Sequence, residues 1–433
     1  MSAITVGLIA FVILFAILAL GVPIGFGMGF IGFVGFWYLV TQDAAISKMA
    51  ITPFVAITSY ELAVLPLFLL MAQIIFAAGT SNELYNLAAK WFGHQPGGIA
   101  MSTVAACAGF SAVSASSLAT ASTMGMVGLP EMKKYNYHAS LATGCVAAGG
   151  TIGILIPPSG LLIIYGIATE QSIGKLFMAG IIPGVLEAVF YFITIYILCM
   201  WKPSLGPRGP KSSFKEKILA FKSTGEIIAL VFLVLGGLII GWFTPTEAGA
   251  VGAFGALISA LIRRRLTWEQ FKKALSETMK ITGMIYGVLI GAFIFNYFMA
   301  VTMIPFWIAD VVSSLPLPPL GIMVFIIIIY IFLGCVMDAL AMVLLTIPIF
   351  FPLAMSLGFD PIWFGIIIVR VVEIGMITPP IGINVYVISG VAKDVPMQTI
   401  FKGIIPFLIA DFFHVILLLF VPQISLFLPN LMQ

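Results

Sequence analysis

The sequence predicts an all-α polytopic membrane protein made of two inverted repeats, each with a re-entrant hairpin and a broken helix. Three observations predict it: long apolar runs, proline positions that recur after 222 residues, and lysines and arginines confined between particular runs.

The apolar runs come first. Of 433 residues, 61% are hydrophobic and 9% charged, against about 25% charged in a soluble domain. The runs extend over roughly 17 to 25 residues, the length that crosses a bilayer core as a helix. The short alternating segments of a membrane barrel are absent. Cys107, Cys145, Cys199 and Cys335 lie in apolar runs without paired spacing and read as small buried side chains. The opening "MSAITVGLIAFVILFAILAL" lacks the basic start and cleavage site of a signal peptide, and reads as a first spanning helix.

The repeat comes second. Eight prolines precede residue 202. A shift of 222 carries five of them onto Pro245, Pro318, Pro352, Pro379 and Pro380, where chance gives about half a match. Gly27, Gly153 and Gly160 shift onto Gly249, Gly375 and Gly382, and a one-residue slip aligns "GIIP" at 180–183 with 403–406. Residues 1–201 and 223–433 therefore read as two copies of one unit, joined by a basic linker at 202–222.

Charge placement orients the copies. The linker holds Lys202, Arg208, Lys211, Lys215, Lys217 and Lys222 against a single Glu216, and "RRR" follows at 263–265. Both are cytoplasmic by the positive-inside rule. The first copy divides into scaffold helices within 3–79, hairpin one at 98–130 and a broken helix at 137–166. The second divides into scaffold helices within 226–303, hairpin two at 320–352, a broken helix at 361–391 and a last helix at 403–429. With 321–351 as a hairpin, Lys393 and Lys402 stay cytoplasmic; a single span would strand them outside. Lys133 and Lys134 place the mouth of hairpin one inside. Hairpin one thus opens to the cytoplasm and hairpin two to the outside, which inverts the copies.

Non-helical backbone at membrane depth is tolerated only where it is buried in protein or lines a cavity. Paired breaks at related places are the architecture of secondary transporters with a midplane site. "GFSAVSASSLATAST" puts Ser111, Ser114, Ser116, Ser117 and Thr120 where hairpin one turns back. These hydroxyls suit ligand or ion contact, although small polar residues also ease helix packing. Asp338 occupies the related place in hairpin two and is suited to sodium; a proton carrier or a structural aspartate are the alternatives. Arg370 and Glu373, three apart, are expected to pair on one helix face in a mainly structural role. Glu247 should favour a helix start. Glu187, Asp411 and His414 have no partner legible in the sequence. "IGKL" lacks the glycine and hydroxyl of a phosphate loop, and no HExxH is present, so nucleotide-driven transport and zinc peptidase chemistry find no motif. An intramembrane hydrolase using the serines or Asp338 lacks a neighbouring base and a second carboxylate.

Five stretches resemble one family along nearly the whole chain: "GTIGILIPPSG", "SIGKLFMAGIIPG", "FTPTEAGAVGA", "GCVMDALAM" with "TIPIFFP", and "ITPPIGINVYV". The family is the large membrane subunit of tripartite ATP-independent periplasmic (TRAP) transporters. The resemblance implies an elevator-type permease of the ion-transporter kind in a bacterial inner membrane, not an enzyme. It would import a small organic anion (a C4-dicarboxylate, sugar acid or sialic acid) with sodium as coupling ion and no other cofactor. It implies a small four-helix membrane subunit, expected on a separate chain, and a periplasmic substrate-binding protein. It also implies a substrate site between Ser111, Ser114, Ser116, Ser117 and Thr120 and the pair Pro158 and Ser159. One sodium site would draw on Ser114, Ser116, Gly149, Gly150, Thr151 and Gly153. The other would draw on Gly334, Met337, Asp338, Gly375, Thr378 and Pro379. "SAVSASS" departs from the family pattern at Ala115, where a glycine is more usual. A stand-alone sodium:carboxylate symporter of related architecture is the runner-up.

From this reading, Asp338→Asn is expected to abolish sodium-dependent uptake while the protein folds normally. Uptake assays in proteoliposomes check it, and wild-type sodium dependence in the variant refutes the role.

Overall fold

The computed structural model describes residues 1–313 and 316–432; residues 314, 315 and 433, assigned above to the second copy, lie outside the described residues. The first part of the chain forms α1 (Ala3–Ala19), α2 (Ile24–Leu39), α3 (Gln42–Thr58), α4 (Val64–Ala77) and α5 (Ser81–Phe92). α4 and α5 meet at a 72° bend. Then come α6 (Gly98–Ser114) and α7 (Ser117–Lys134), separated by two residues. α8 (Ala139–Thr151) runs into a short 3₁₀ turn, α9 (Gly160–Ala168) resumes after the proline pair, and α10 (Ile173–Trp201) follows.

The second part forms α11 (Phe214–Ile240), α12 (Pro245–Ile262), α13 (Trp268–Thr302) and α14 (Ile304–Ser313). It continues with α15 (Pro319–Gly334), α16 (Ala339–Ser356), α17 (Pro361–Ile377), α18 (Ile383–Val391) and α19 (Met397–Phe420). The starts of α7 and α16, and those of α8 and α17, are each 222 residues apart, the same offset as the prolines. Among the described residues, six helices are long and apolar enough to cross a membrane: α10, α11, α12, α13, α16 and α19.

Local chemistry sets the helix starts. Ser213 and Glu216 form a reciprocal capping box at α11, Thr244 and Glu247 at α12, and Thr267 and Gln270 at α13, each satisfying two N–H groups of a first turn. Glu247 thus favours its helix start, as the sequence suggested. The box at Ser213 alters one boundary: the stretch 202–222, expected as linker, is helical from Phe214. α19 covers 397–420 instead of 403–429. Pro422 follows it and biases Val421 out of the helical region. α5 and α14 were not foreseen; α5 is amphipathic and buries Leu84, Tyr85 and Ala88.

α17 lies at the centre, with every residue from Ile362 to Ile377 buried. A helix that is apolar nearly all round belongs in such a position. Around it, helices approach closely where glycines face backbone. α8 crosses α19 at Gly144 and Gly403, and α2 crosses α13 at Gly25 and Gly291. Small residues permit such approach where lipid supplies no hydrophobic drive between helices. A Cβ on Gly32 would lie 2.6 Å from the Phe295 Cα, whereas one on Gly29 would sit 3.5 Å from the Gly291 Cα. Gly32→Val is therefore expected to destabilise the fold by about 1–3 kcal/mol through overpacking, and Gly29→Ala by far less. Thermal unfolding of the two variants in detergent checks the contrast.

Candidate functional site

The tip of hairpin one is built by a change of backbone direction at Ala115, which has φ 55° and lies in the left-handed region. A residue with a Cβ pays roughly 1–2 kcal/mol there, a cost a glycine would not carry. Ser116 then caps α7, its hydroxyl accepting the Ala119 N–H. The Thr120 hydroxyl lies 2.6 Å from that of Ser114 and 2.9 Å from the Ser116 carbonyl, while the Ser111 hydroxyl donates to the Cys107 carbonyl at 2.5 Å. A Cβ on Gly153 would lie 3.1 Å from Thr120 Oγ1 and 3.3 Å from Ser111 Oγ. The missing side chain lets the first broken helix come up against this tip. Gly150 faces the Ser117 carbonyl in the same way, and Gly149 lies against Cys107 instead. The Thr151 hydroxyl points elsewhere, 2.8 Å from Glu187 Oε1. Ser159 is fully buried and caps α9, accepting the Leu162 N–H. The N–H of the next residue, Gly160, donates to the Ala115 carbonyl at 3.3 Å, which ties that helix start to the tip.

The related region of hairpin two is built differently. Asp338 caps α16 through one carboxylate oxygen, which accepts the Leu340 and Ala341 N–H groups at 3.1 Å each. Gly334 and Gly375 face one another; a Cβ on Gly375 would lie 2.6 Å from the Gly334 Cα. The Thr378 hydroxyl donates to the Ile374 carbonyl, and the Cys335 thiol donates to the Pro379 carbonyl at 3.3 Å. Met337 is half-buried beside this turn. The Pro157–Pro158 and Pro379–Pro380 bonds are both cis. All four cysteines are buried with free thiols.

Both hairpins meet one cavity of about 440 Å³. Ser116 and Ser117 line it from hairpin one, Asp338 and Ala339 from hairpin two, and Gly160 and Met376 from beside the two helix breaks. α4 and α13 supply an apolar wall that includes Phe68 and Ile285. Among the expected site residues, the cavity is lined by Ser116, Ser117 and Asp338. Ser111, Ser114, Thr120, Pro158 and Ser159 are buried behind its surface. Asp338 is exposed to this space, which spares its carboxylate the cost of burial in hydrocarbon.

Arg370 does not pair with Glu373. Its NH1 lies 3.0 Å from Glu187 Oε1, its NH2 donates to Asp411 Oδ1, and its Nε donates to His414 Nδ1 at 3.1 Å. The local i,i+3 pairing loses because two carboxylates and an imidazole on α10 and α19 match the planar fork of the guanidinium. Glu373 instead accepts the Ser117 hydroxyl at 3.1 Å. The sequence did carry one signal for this cluster: Asp411 and His414 are three apart, on one helix face, in an otherwise apolar span.

This arrangement of interrupted helices around a lined cavity is that of a multi-pass membrane transport protein. A family model described as the tripartite ATP-independent periplasmic transporter, DctM component, matches residues 11–424. The chain belongs to that family: it is a transporter permease, not an enzyme. It is 35% identical over 393 residues to the C4-dicarboxylate TRAP transporter large permease protein DctM of Pseudomonas aeruginosa, covering 90% of this chain and 91% of that protein. It is 32% identical to the sialic acid large permease SiaM of Vibrio cholerae, covering 95% of each. It is also 32% identical to the 2,3-diketo-L-gulonate large permease YiaN of Escherichia coli, covering 94% and 95%. The crystal structure of the Alcanivorax borkumensis YdaH transporter shares the fold, with a TM-score of 0.63 at 14% identity over 89% of this chain and 90% of that one.

Removing one member of a buried ion-paired cluster costs about 3–5 kcal/mol, because the partners stay buried without compensation. Arg370→Met is therefore expected to unfold or severely destabilise the chain, a loss read by thermal melting and by monodispersity after purification. A melting temperature equal to wild type refutes the assignment of Arg370 as the joint of this cluster.

Proposed function

We propose that this chain is the permease subunit of a sodium-coupled secondary transporter that imports a small organic anion across a bacterial inner membrane. The anion is delivered by a periplasmic binding protein, and a small four-helix membrane subunit completes the complex. The observation that carries this reading is a cavity lined by both hairpin tips. The N-termini of α7, α9 and α16 start at or beside it. Helix N-termini attract anions, and the carbonyls and hydroxyls at the breaks are hard oxygen ligands suited to sodium. Ser116 and Ser117 are placed to meet the solute. Asp338, with the turn at Gly334, Met337, Gly375, Thr378 and Pro379, is assigned to one sodium ion. The tip at Ser114 and Ser116, with Gly150 and Gly153, is assigned to the other. The names of the relatives, C4-dicarboxylate, sialic acid and 2,3-diketo-L-gulonate, are all those of organic acids and support an anionic solute.

In this reading the two copies, 1–201 and 223–433, are inverted, and the hairpins with the broken helices move together against α2, α4, α12 and α13 as an elevator. The test is reconstitution. The chain alone in proteoliposomes is expected to take up none of a panel of labelled C4-dicarboxylates, sugar acids and sialic acid. With both partners and an inward sodium gradient, one of them enters. Uptake unchanged when potassium replaces sodium refutes the coupling, and uptake without the binding protein selects the stand-alone symporter.

A further inference from the structure

α5 and the starts of α11 and α13 gather at one end of the bundle, the end that carries the linker. α5 leaves α4 at 72°, and ion pairs hold it at both ends. Glu83 meets Arg263 and Arg265, where α12 ends, at 3.2 and 2.6 Å. Lys90 meets Glu216, in the first turn of α11, at 3.7 Å. The linker is tied to the same place, the Gly209 N–H donating to the Gly93 carbonyl at 2.8 Å.

α11 is longer than a membrane requires. Its 27 residues rise about 40 Å, against about 30 Å of hydrocarbon. The surplus lies at its start, because Lys215, Glu216, Lys217 and Lys222 all fall within 214–222. These turns therefore stand at headgroup level. One face of them docks on α5: Glu216 pairs with Lys90, and the Lys217 ammonium lies 5.2 Å from the centre of the Trp91 ring. A second face is apolar and open. Phe214, Ile218 and Phe221 follow the i, i+4, i+7 spacing of a single stripe and are 72%, 54% and 51% exposed. Lys215 and Lys222, both exposed, flank that stripe. α13, with 35 residues also longer than one span, repeats the combination. Its Trp268 is exposed, stacks on Phe271 with ring centres 5.6 Å apart, and has the Lys272 ammonium 5.5 Å from its centre.

Positive charge at this end exceeds its partners. Among the described residues, Lys211, Lys215, Lys222, Arg264 and Lys273 form no ion pair, while Glu83, Glu216, Glu226 and Glu277 already hold other cations. Glu269 is left as an opposing charge on the first turn of α13. A basic surface in water would suit any polyanion. Here the apolar stripe continues into a spanning helix, so it meets the acyl boundary of a bilayer, and the flanking lysines meet the headgroup layer.

We propose that the linker and the starts of α11 and α13 form a binding surface for anionic phospholipid headgroups, with Lys211, Lys215 and Lys222 as its main phosphate contacts. The stripe sets the depth of these turns in the bilayer, and the lysines select the charge of the lipid beside them. The proposal goes beyond the transport reading and does not depend on which solute or coupling ion is used.

Electron spin resonance tests it, with the full-length chain reconstituted in phosphatidylcholine and spin-labelled phosphatidylglycerol or phosphatidylcholine as the probe. The wild type is expected to hold phosphatidylglycerol several-fold more tightly at low salt, and less so at high salt, where surface charges are screened. K211Q/K215Q/K222Q, melting with the wild type, is expected to lower the ratio towards parity. Parity in the wild type, or an undiminished preference in the triple variant, overturns the proposal. Nucleic acid that copurifies with the wild type and not with the triple variant, together with lipid parity, selects a nucleic-acid surface and likewise overturns it.

Discussion

One guanidinium sets the geometry on which the rest of the interior depends. Arg370 sits on α17, the fully buried central helix, and reaches α10 through Glu187 and α19 through Asp411 and His414. A buried ionic cluster is weak as a source of net stability but strict about geometry, since displacing one member leaves the others desolvated without compensation. The three helices are thereby held in one mutual register. Glu187 extends that register to Thr151 at the end of α8, and Glu373, one turn beyond the arginine, extends it to the tip of hairpin one.

The second constraint is that a broken helix exposes backbone groups that an apolar environment cannot satisfy. Three helix starts here are closed locally, whereas α18 begins at Gly382 without a side-chain cap. Ser116, Ser159 and Asp338 cap the helices that resume, and the Ala115 carbonyl accepts the Gly160 N–H across from one break to the other. Glycines at 150, 153, 334 and 375 let neighbouring backbone come close enough for this closure. What results is a lined cavity rather than a flaw in two spans.

The periodic features of this architecture were legible in the sequence. "TIGILIPPSG" and "EIGMITPPIG" mark the two breaks because proline and glycine act on the backbone at the place where they occur. Ser116 and Asp338 stood out as a hydroxyl at the hairpin turn and a lone carboxylate 222 residues on; that each caps the helix after it is seen only in the structure. What escaped was non-local. Spacing on one helix suggested Arg370 with Glu373, but the partners of Arg370 come from α10 and α19, 183 and 41 residues away. Nothing in the order of residues ranks a distant carboxylate above a near one. The capping box at Ser213 was visible in the sequence, yet hydropathy alone started the scaffold helices of the second copy at 226, after the true start of α11 at Phe214.

Under the proposed role, Asp338 combines two duties that ordinarily fall to separate residues. Its Oδ1 is occupied by the two N–H groups of the helix start, and its Oδ2 takes no part in the cap. Asparagine, serine and threonine can all serve as caps, so a survey of variants scored by yield would find this position permissive. Scored by transport, under the proposed role, the same position would be intolerant. The two surveys would disagree most at the residues where architecture and cargo share an atom group, and that disagreement is itself a map of the site.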